Sequence, residues 1–264
     1  MLKNTLLNAT YQIIPSYHSA LVMQLLKTEM IIPDMPKVPM SDDEDMPDVE
    51  DAVAIIDING VLVNGASEEE CEYLGLCNYD DIKEQLVMCK DLPLKAIILN
   101  INSPGGWVQG SKGTGELIAE INKTIPVYAY ASSLCASAAY KLAVNATAIF
   151  CDQEAETGCV GTIFTHYDYS KMMDEMGVKP TIFKSGKYKD MFSQDRPMTD
   201  EEKAIAQSDI DTCGKAFRDV VLSKRDIEPQ YLEGLCYNGK DAVDLGFVDG
   251  ILSGTEELIK LIVE

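Results

Sequence analysis

The sequence predicts an α/β domain organised around a parallel sheet, and three observations carry that prediction. Short apolar runs alternate with amphipathic stretches in a strand, helix, strand, helix rhythm from residue 52 onward. The run Ala96-Ile97-Ile98-Leu99-Asn100-Ile101-Asn102 stops at Ser103-Pro104-Gly105-Gly106, a turn signal that a strand interior tolerates poorly. A chain of 264 residues, 46% apolar and 25% charged, is long enough for one large core with an appendage.

Taken in order, residues 1–40 read as an N-terminal arm. Ser16 caps a helix-like stretch over 17–27, and Pro33, Pro36 and Pro39 then block any regular element because each fixes φ and removes a donor. Residues 41–51 hold seven acidic residues and no basic one, which reads as a solvated spacer or, less simply, as a processing segment or inhibitory flap. The main domain is expected over 52–264. It opens with a buried strand over 52–63, followed by an amphipathic helix over 79–91 and the strand that ends at Ser103. A helix over 115–122, a strand over 126–131, a helix over 136–145 and a strand over 148–151 continue the rhythm, which implies parallel pairing by right-handed crossovers. Beyond these come a short strand over 161–164, a helix over 169–176, a polar loop with Lys184, Lys187 and Lys189, and a long helix from Thr199 to about Lys224.

Composition narrows the function. Lys and Arg total 22 against 43 Asp and Glu, and a net charge of -21 argues against nucleic acid and against an anionic membrane surface as partners. Eight cysteines without a Cys-x-x-Cys pair, and only two histidines, signal neither a metal site nor a disulfide framework, and no cofactor motif is present. With no long apolar segment or leader pattern, the expectation is a soluble protein without a membrane span, located in the cytoplasm and not secreted.

Chemistry is expected at the carboxyl ends of the strands. Ser137 sits among small residues in Cys135-Ala136-Ser137-Ala138-Ala139-Tyr140, and the glycine turn at 105–106 can offer amides to a developing oxyanion. With hardly any histidine but several lysines available, a Ser-Lys pair is the economical nucleophile and base.

These residues carry a resemblance. Residues 52–254 are similar to the signal peptide peptidase A-type serine peptidases, and most of all to the soluble relatives that act as prohead proteases of tailed phages. The matching pieces are 102–106, the turn at 136–140, Thr157-Gly158-Cys159-Val160-Gly161, the segment 184–190 leading to Arg196-Pro197-Met198-Thr199, and the closing 239–242 and 246–249. The resemblance implies a Clp protease/crotonase-like fold and a serine endopeptidase acting through an acyl-enzyme. It makes Ser137 the nucleophile and Lys189 the general base, with Gly105 or Gly106 and the amide of Ala138 as the oxyanion hole. The lysine-orienting position, usually serine, is Cys159 here, with Thr157 as a substitute; alanines at 138 and 139 replace the usual glycines. It further implies a homo-oligomer whose neighbours complete the site, an extended peptide substrate with a small or apolar residue before the scissile bond, and work on phage capsid assembly proteins such as scaffold or portal, in the host cytoplasm or the prohead.

Alternatives stand beside each reading. Lys184 and Lys187 rival Lys189, Cys135 is a conceivable nucleophile, and His166 suggests a Ser-His-Asp arrangement like that of the Clp protease. Trp107 is either a pocket wall or core. At the level of the whole chain, the rivals are a bacterial enzyme degrading signal peptides or peptides in general, a crotonase-type acyl-CoA enzyme, and a non-catalytic assembly protein that kept the fold.

Overall fold

Crossover connections set the main sheet. The computed structural model describes residues 11–13 and 47–264. After β1 (Tyr11–Ile13) and β2 (Asp48–Glu50), the chain enters β3 (Val53–Asn59) and turns at Gly60, whose φ of 91° is open to glycine, into β4 (Val61–Val63). The expected strand over 52–63 is therefore two strands in two different sheets, because the Gly60 turn redirects the chain. Next come α1 (Glu68–Leu74), β5 (Leu76–Asn78) and α2 (Tyr79–Cys89). Then β6 (Ala96–Ser103), β7 (Gly105–Trp107), α3 (Ser111–Ile121), β8 (Val127–Ala136) and α4 (Ala138–Ala143) form the part that bears the site. The remainder is β9 (Ala148–Cys151), β10 (Glu156–Gly158), α5 (Ser170–Glu175), α6 (Asp200–Leu222), β11 (Cys236–Asn238), α7 (Gly239–Asp244), β12 (Gly250–Ile251) and α8 (Thr255–Val263).

The large sheet runs β11-β10-β8-β6-β3-β2, with β9 also paired to β8 and β12 paired to β9. Its centre is parallel: β3 pairs β6 from Val53↔Ala96 to Asn59↔Asn102, and β6 pairs β8 from Ile97↔Val127 to Ile101↔Ala131. Strands buried on both faces read as continuous apolar runs rather than alternation, and Ala96 to Leu99 are all fully buried. The smaller sheet, β1-β7-β4-β5, stands beside the carboxyl ends of these strands. One core of β3, β6 and β8 residues with Tyr79, Leu86, Ile118, Tyr140, Phe217 and Phe247 joins the helices to one face; Leu258 and Ile259 of α8 close the other.

Several boundaries differ from expectation for physical reasons. β8 continues to Ala136 rather than stopping at 131, since β10 pairs with its last residues through Glu156↔Leu134, Thr157↔Cys135 and Gly158↔Ala136. No strand forms over 161–164 beyond a single bridge at Ile163; the strand in this region is β10, which pairs with both β8 and β11. Part of the acidic segment 41–51 is an edge strand, with β2 antiparallel to β3 and fully exposed, so its charges face water while its backbone is paired. The helix expected over 17–27 lies outside the described residues. Thr199 caps α6 with a capping box to Glu202, as the acidic first turn implied. Among the described residues, no helix is long and apolar enough to cross a membrane.

Candidate active site

Two chain segments leave the large sheet from one paired position, Ser103 opposite Cys135. Gly105 and Ser137 each lie two residues beyond that pair, so the glycine turn and the serine turn start side by side. Ser103 holds the first turn: its Oγ donates to the Gly60 carbonyl at 2.6 Å and accepts from the Gly105 amide at 3.2 Å. Gly105 has φ of 92°, and a Cβ on Gly106 would stand 1.9 Å from the Leu62 carbonyl oxygen, so neither position has room for another residue. Gly106→Ala should cost about 2–4 kcal/mol of unfolding free energy, because backbone must move to admit the methyl. A thermal melt beside the unchanged chain checks this, and a difference under about 0.5 kcal/mol would contradict the close packing.

Ser137 caps α4 with φ 56° and ψ -118°, a conformation that non-glycine residues hold only when the surroundings impose it, at a cost of order 1–3 kcal/mol. What imposes it is visible. The Ser137 amide donates to the Gly158 carbonyl at 2.7 Å, and its carbonyl accepts from the Lys141 amide at 2.9 Å. All of α4 is buried, and Tyr140 anchors it by donating to the Phe247 carbonyl at 2.9 Å. A strained strand-to-helix turn is one way a fold presents a nucleophile. Ser137 is 1% exposed and Thr157 next door is fully buried, and among the described residues neither the Ser137 hydroxyl nor Thr157 Oγ1 has a hydrogen-bond partner. Buried hydroxyls without partners are rare and point to a site awaiting a further group.

Thr157, Gly158 and Cys159 are brought alongside Cys135, Ala136 and Ser137 by the β8–β10 pairing, as a shared site requires. Cys159 also has positive φ, 53°, and its amide donates to the Leu235 carbonyl at 2.7 Å. Its thiol is engaged with that of Cys236: the bond lowers the pKa of Cys159 below the ordinary thiol value and drives that of Cys236 up. The sulfur at the expected lysine-orienting position is thus occupied within the chain.

No hydrogen bond joins Lys189 to the Ser137 hydroxyl. Lys189 stands exposed on the loop between α5 and α6, and among the described residues its amine makes no hydrogen bond or ion pair. Its rivals are committed elsewhere. Lys184 pairs with Asp190 at 2.6 Å, and Lys187 pairs with Glu201, whose carboxylate holds the Lys187 amine above the ordinary lysine range, opposite to what a base needs. Of the three loop lysines, Lys189 alone has an amine with no partner among the described residues.

The root of this loop is an ion-pair cluster in which Arg196 bridges Asp190 at 3.0 Å and Glu202 at 2.6 Å. Arg196 is the leading cause that holds both carboxyls down, to about 2, from ordinary values of 3.8 and 4.5. Depressed carboxylates stabilise above their unfolded-state values, so the anchor is complete above about pH 4.5 and is lost as pH falls through about 2. Limited proteolysis should therefore begin to cut between 184 and 198 on acidification in that window and not above it; uniform resistance down to pH 2 would contradict the anchor.

The remaining alternatives resolve on contacts. Cys135 is fully buried and burial pushes its thiol well up, which suits an inert core residue. His166 Nε2 is buried without a partner, so no hydrogen bond joins it to Ser137. Trp107 belongs to the main core, where its carbonyl accepts from Tyr79 Oη at 2.8 Å. Sequence reasoning missed Lys141, one helical turn beyond Ser137: its buried amine donates to Ser111 Oγ at 3.0 Å and lies 5.7 Å from the Phe217 ring centroid. Desolvation holds that amine below the ordinary lysine range. The i, i+4 spacing was the available signal, and the bond to Ser111 makes Lys141 a tie between α3 and α4.

The model of peptidase family S49 matches residues 119–262, which include Ser137, Thr157 to Cys159 and the lysine loop. The chain belongs to peptidase family S49. Among curated relatives, a candidate protease of Methanocaldococcus jannaschii is 36% identical over 172 residues, 64% of this chain and 55% of that one. A candidate signal peptide peptidase SppA of Enterococcus faecium is 29% identical over 74% of this chain and 58% of its own. Capsid assembly protease C of Escherichia phage lambda is 27% identical over 83% of this chain and 52% of its own. The S49 chain thus spans between half and three-fifths of these relatives' length. A solved ClpP1 mutant from Listeria monocytogenes aligns over 77% of this chain and 94% of that one at 15% identity, with a TM-score of 0.47. Family membership and the parallel β3-β6-β8-β10 sheet with its crossover helices together make this a Clp protease-like α/β fold. The closing motif of the family has a structural role here: Asp249 accepts from the Ile149 amide at 2.7 Å and pairs with Arg225 at 2.8 Å.

Proposed function

We propose that this S49 chain is a serine endopeptidase in which Ser137 is the nucleophile and Lys189 the general base. The observation that carries the proposal is the Ser137 turn: a strained, buried, unpartnered hydroxyl set beside the Gly105–Gly106 turn. The amine of Lys189, unprotonated, takes the hydroxyl proton as Oγ attacks the peptide carbonyl. Amides of Ala138 and the glycine turn hold the oxygen as it becomes negative; Ser103 already uses the Gly105 amide, which weights the assignment toward Gly106. Collapse expels the amine, which recovers the proton from Lys189, and water then hydrolyses the acyl-enzyme with the same lysine as base.

Because Lys189 is exposed and Ser137 unpartnered, the dyad forms when the 184–196 loop is packed down, and a homo-oligomer is the proposed means. Cys159 being held by Cys236, Thr157 Oγ1 is the free group left to orient the lysine. The substrate is an extended peptide carrying a small or apolar residue before the scissile bond. The chain's role is processing of phage capsid assembly proteins, in the host cytoplasm or prohead, a reading supported by the longer match to the lambda capsid assembly protease, 83% of this chain against 74% for the SppA-type relative; degradation of signal peptides is the second reading. Incubation with a phage scaffold or portal protein tests this: discrete fragments support processing, whereas indifference to it alongside digestion of leader peptides favours the second reading.

A further inference from the structure

The strand β7 has two edges. One pairs with β4 through Leu62 and Gly106, so closely that Gly106 admits no side chain. The other carries β1, antiparallel, with Tyr11 opposite Trp107, Gln12 opposite Gly106 and Ile13 opposite Gly105. Among the described residues, this places a segment from the far N-terminal end of the chain on the strand that begins the oxyanion turn.

Direction matters as much as place. Gly105 is the end of β7 nearer the Ser103–Cys135 pair from which the Ser137 turn departs. Since Ile13 faces Gly105 and Tyr11 faces Trp107, β1 runs toward the site with its carboxyl end leading. A peptide whose residues before the scissile bond paired antiparallel along β7 would have the same polarity. The two glycines offer main chain only, so what pairs there is recognised by backbone hydrogen bonds with little regard to sequence.

We propose that Tyr11–Ile13 is an intramolecular occupant of the substrate edge, which an extended peptide must displace before cleavage. This rests on the reading of Ser137 and the glycine turn as a peptidase site. β1 belongs to the same chain as the edge it covers, and an intramolecular segment competes at an effective concentration of order millimolar, enough for a short strand to hold an edge against dilute peptide. The free form is therefore held low in activity, and the substrates favoured are unfolded segments long enough to replace the whole β1 ladder.

The test uses the full chain with Gln12→Pro and Ile13→Pro together. Successive amides in a strand point to opposite sides, so the pair removes at least one donor facing β7 whichever set of residues supplies it. In the Ser137→Ala background, a fluorescein-labelled synthetic peptide of residues 8–16 should bind the proline variant at least about tenfold more tightly than the chain with native residues 12 and 13, the factor for an edge open one tenth of the time. Equal affinities, or no binding to either, would overturn the proposal. With Ser137 intact, the proline variant should cleave a fluorogenic peptide with a KM about tenfold lower. Should the proline variant not fold, hydrogen exchange on the chain with native residues 12 and 13 decides: protected amides at 11–13 that lose protection on adding saturating peptide support the occupant, and unprotected ones overturn it. Peptide binding and exchange need no catalysis, so failure of the peptidase reading shows separately, as absence of hydrolysis in every form.

Discussion

Replacing Ser137 with alanine is expected to lower kcat/KM for peptide hydrolysis by at least about 10⁴-fold, the scale on which a serine nucleophile is lost from a working site. Folding should be untouched. The Ser137 Oγ is buried and satisfies no partner, so its removal breaks no hydrogen bond and relieves a desolvated hydroxyl. Stability is then unchanged or higher by up to about 1 kcal/mol. Alanine inherits the same positive φ, so the strain at residue 137 stays as it is. A variant that is inactive and equally stable separates a catalytic hydroxyl from a helix cap, because removing a Ser cap costs about 1 kcal/mol. Ser137 makes no such side-chain cap bond.

The second large effect concerns the lysines of the 184–189 loop. Lys189→Met is expected to lower kcat/KM by about 10³-fold or more, and Lys189→Arg to be as inactive, since a guanidinium cannot give up its proton. Lys184→Ala and Lys187→Ala should stay within about tenfold, as these amines serve Asp190 and Glu201 on the surface. Full activity of Lys189→Met, or an equal loss at Lys187, would move the base elsewhere.

How much of this was legible in the sequence varies by the physics involved. The central strands β6 and β8 and the helices α2 and α6 declare themselves through unbroken apolar runs, periodicity and the Thr199 cap, which are local signals. The glycine turn was legible because Ser-Pro-Gly-Gly has few other uses. β10 was not, since Glu156-Thr157-Gly158 has no strand-like pattern and exists through pairing on both sides. The pairing of Tyr11–Ile13 with β7 spans more than the whole proline-rich and acidic region, and no local pattern reports a contact at that separation. In the candidate site, Ser137 stands out from its small neighbours, whereas the contact of Cys159 with Cys236 depends on β10–β11 register. Lysine choice turned on carboxylates: Glu201 and Asp190 remove Lys187 and Lys184, and neither pairing follows from spacing alone.

The central claim is that Ser137 forms a covalent acyl intermediate, and intact-mass spectrometry after rapid acid quench reads this directly. With an activated peptide ester as substrate, the chain should gain the mass of the acyl group, and fragmentation should place it on Ser137; the Ser137→Ala chain should gain nothing. An adduct on Cys135 or Cys159, or steady product release by the Ser137→Ala chain, would contradict the account.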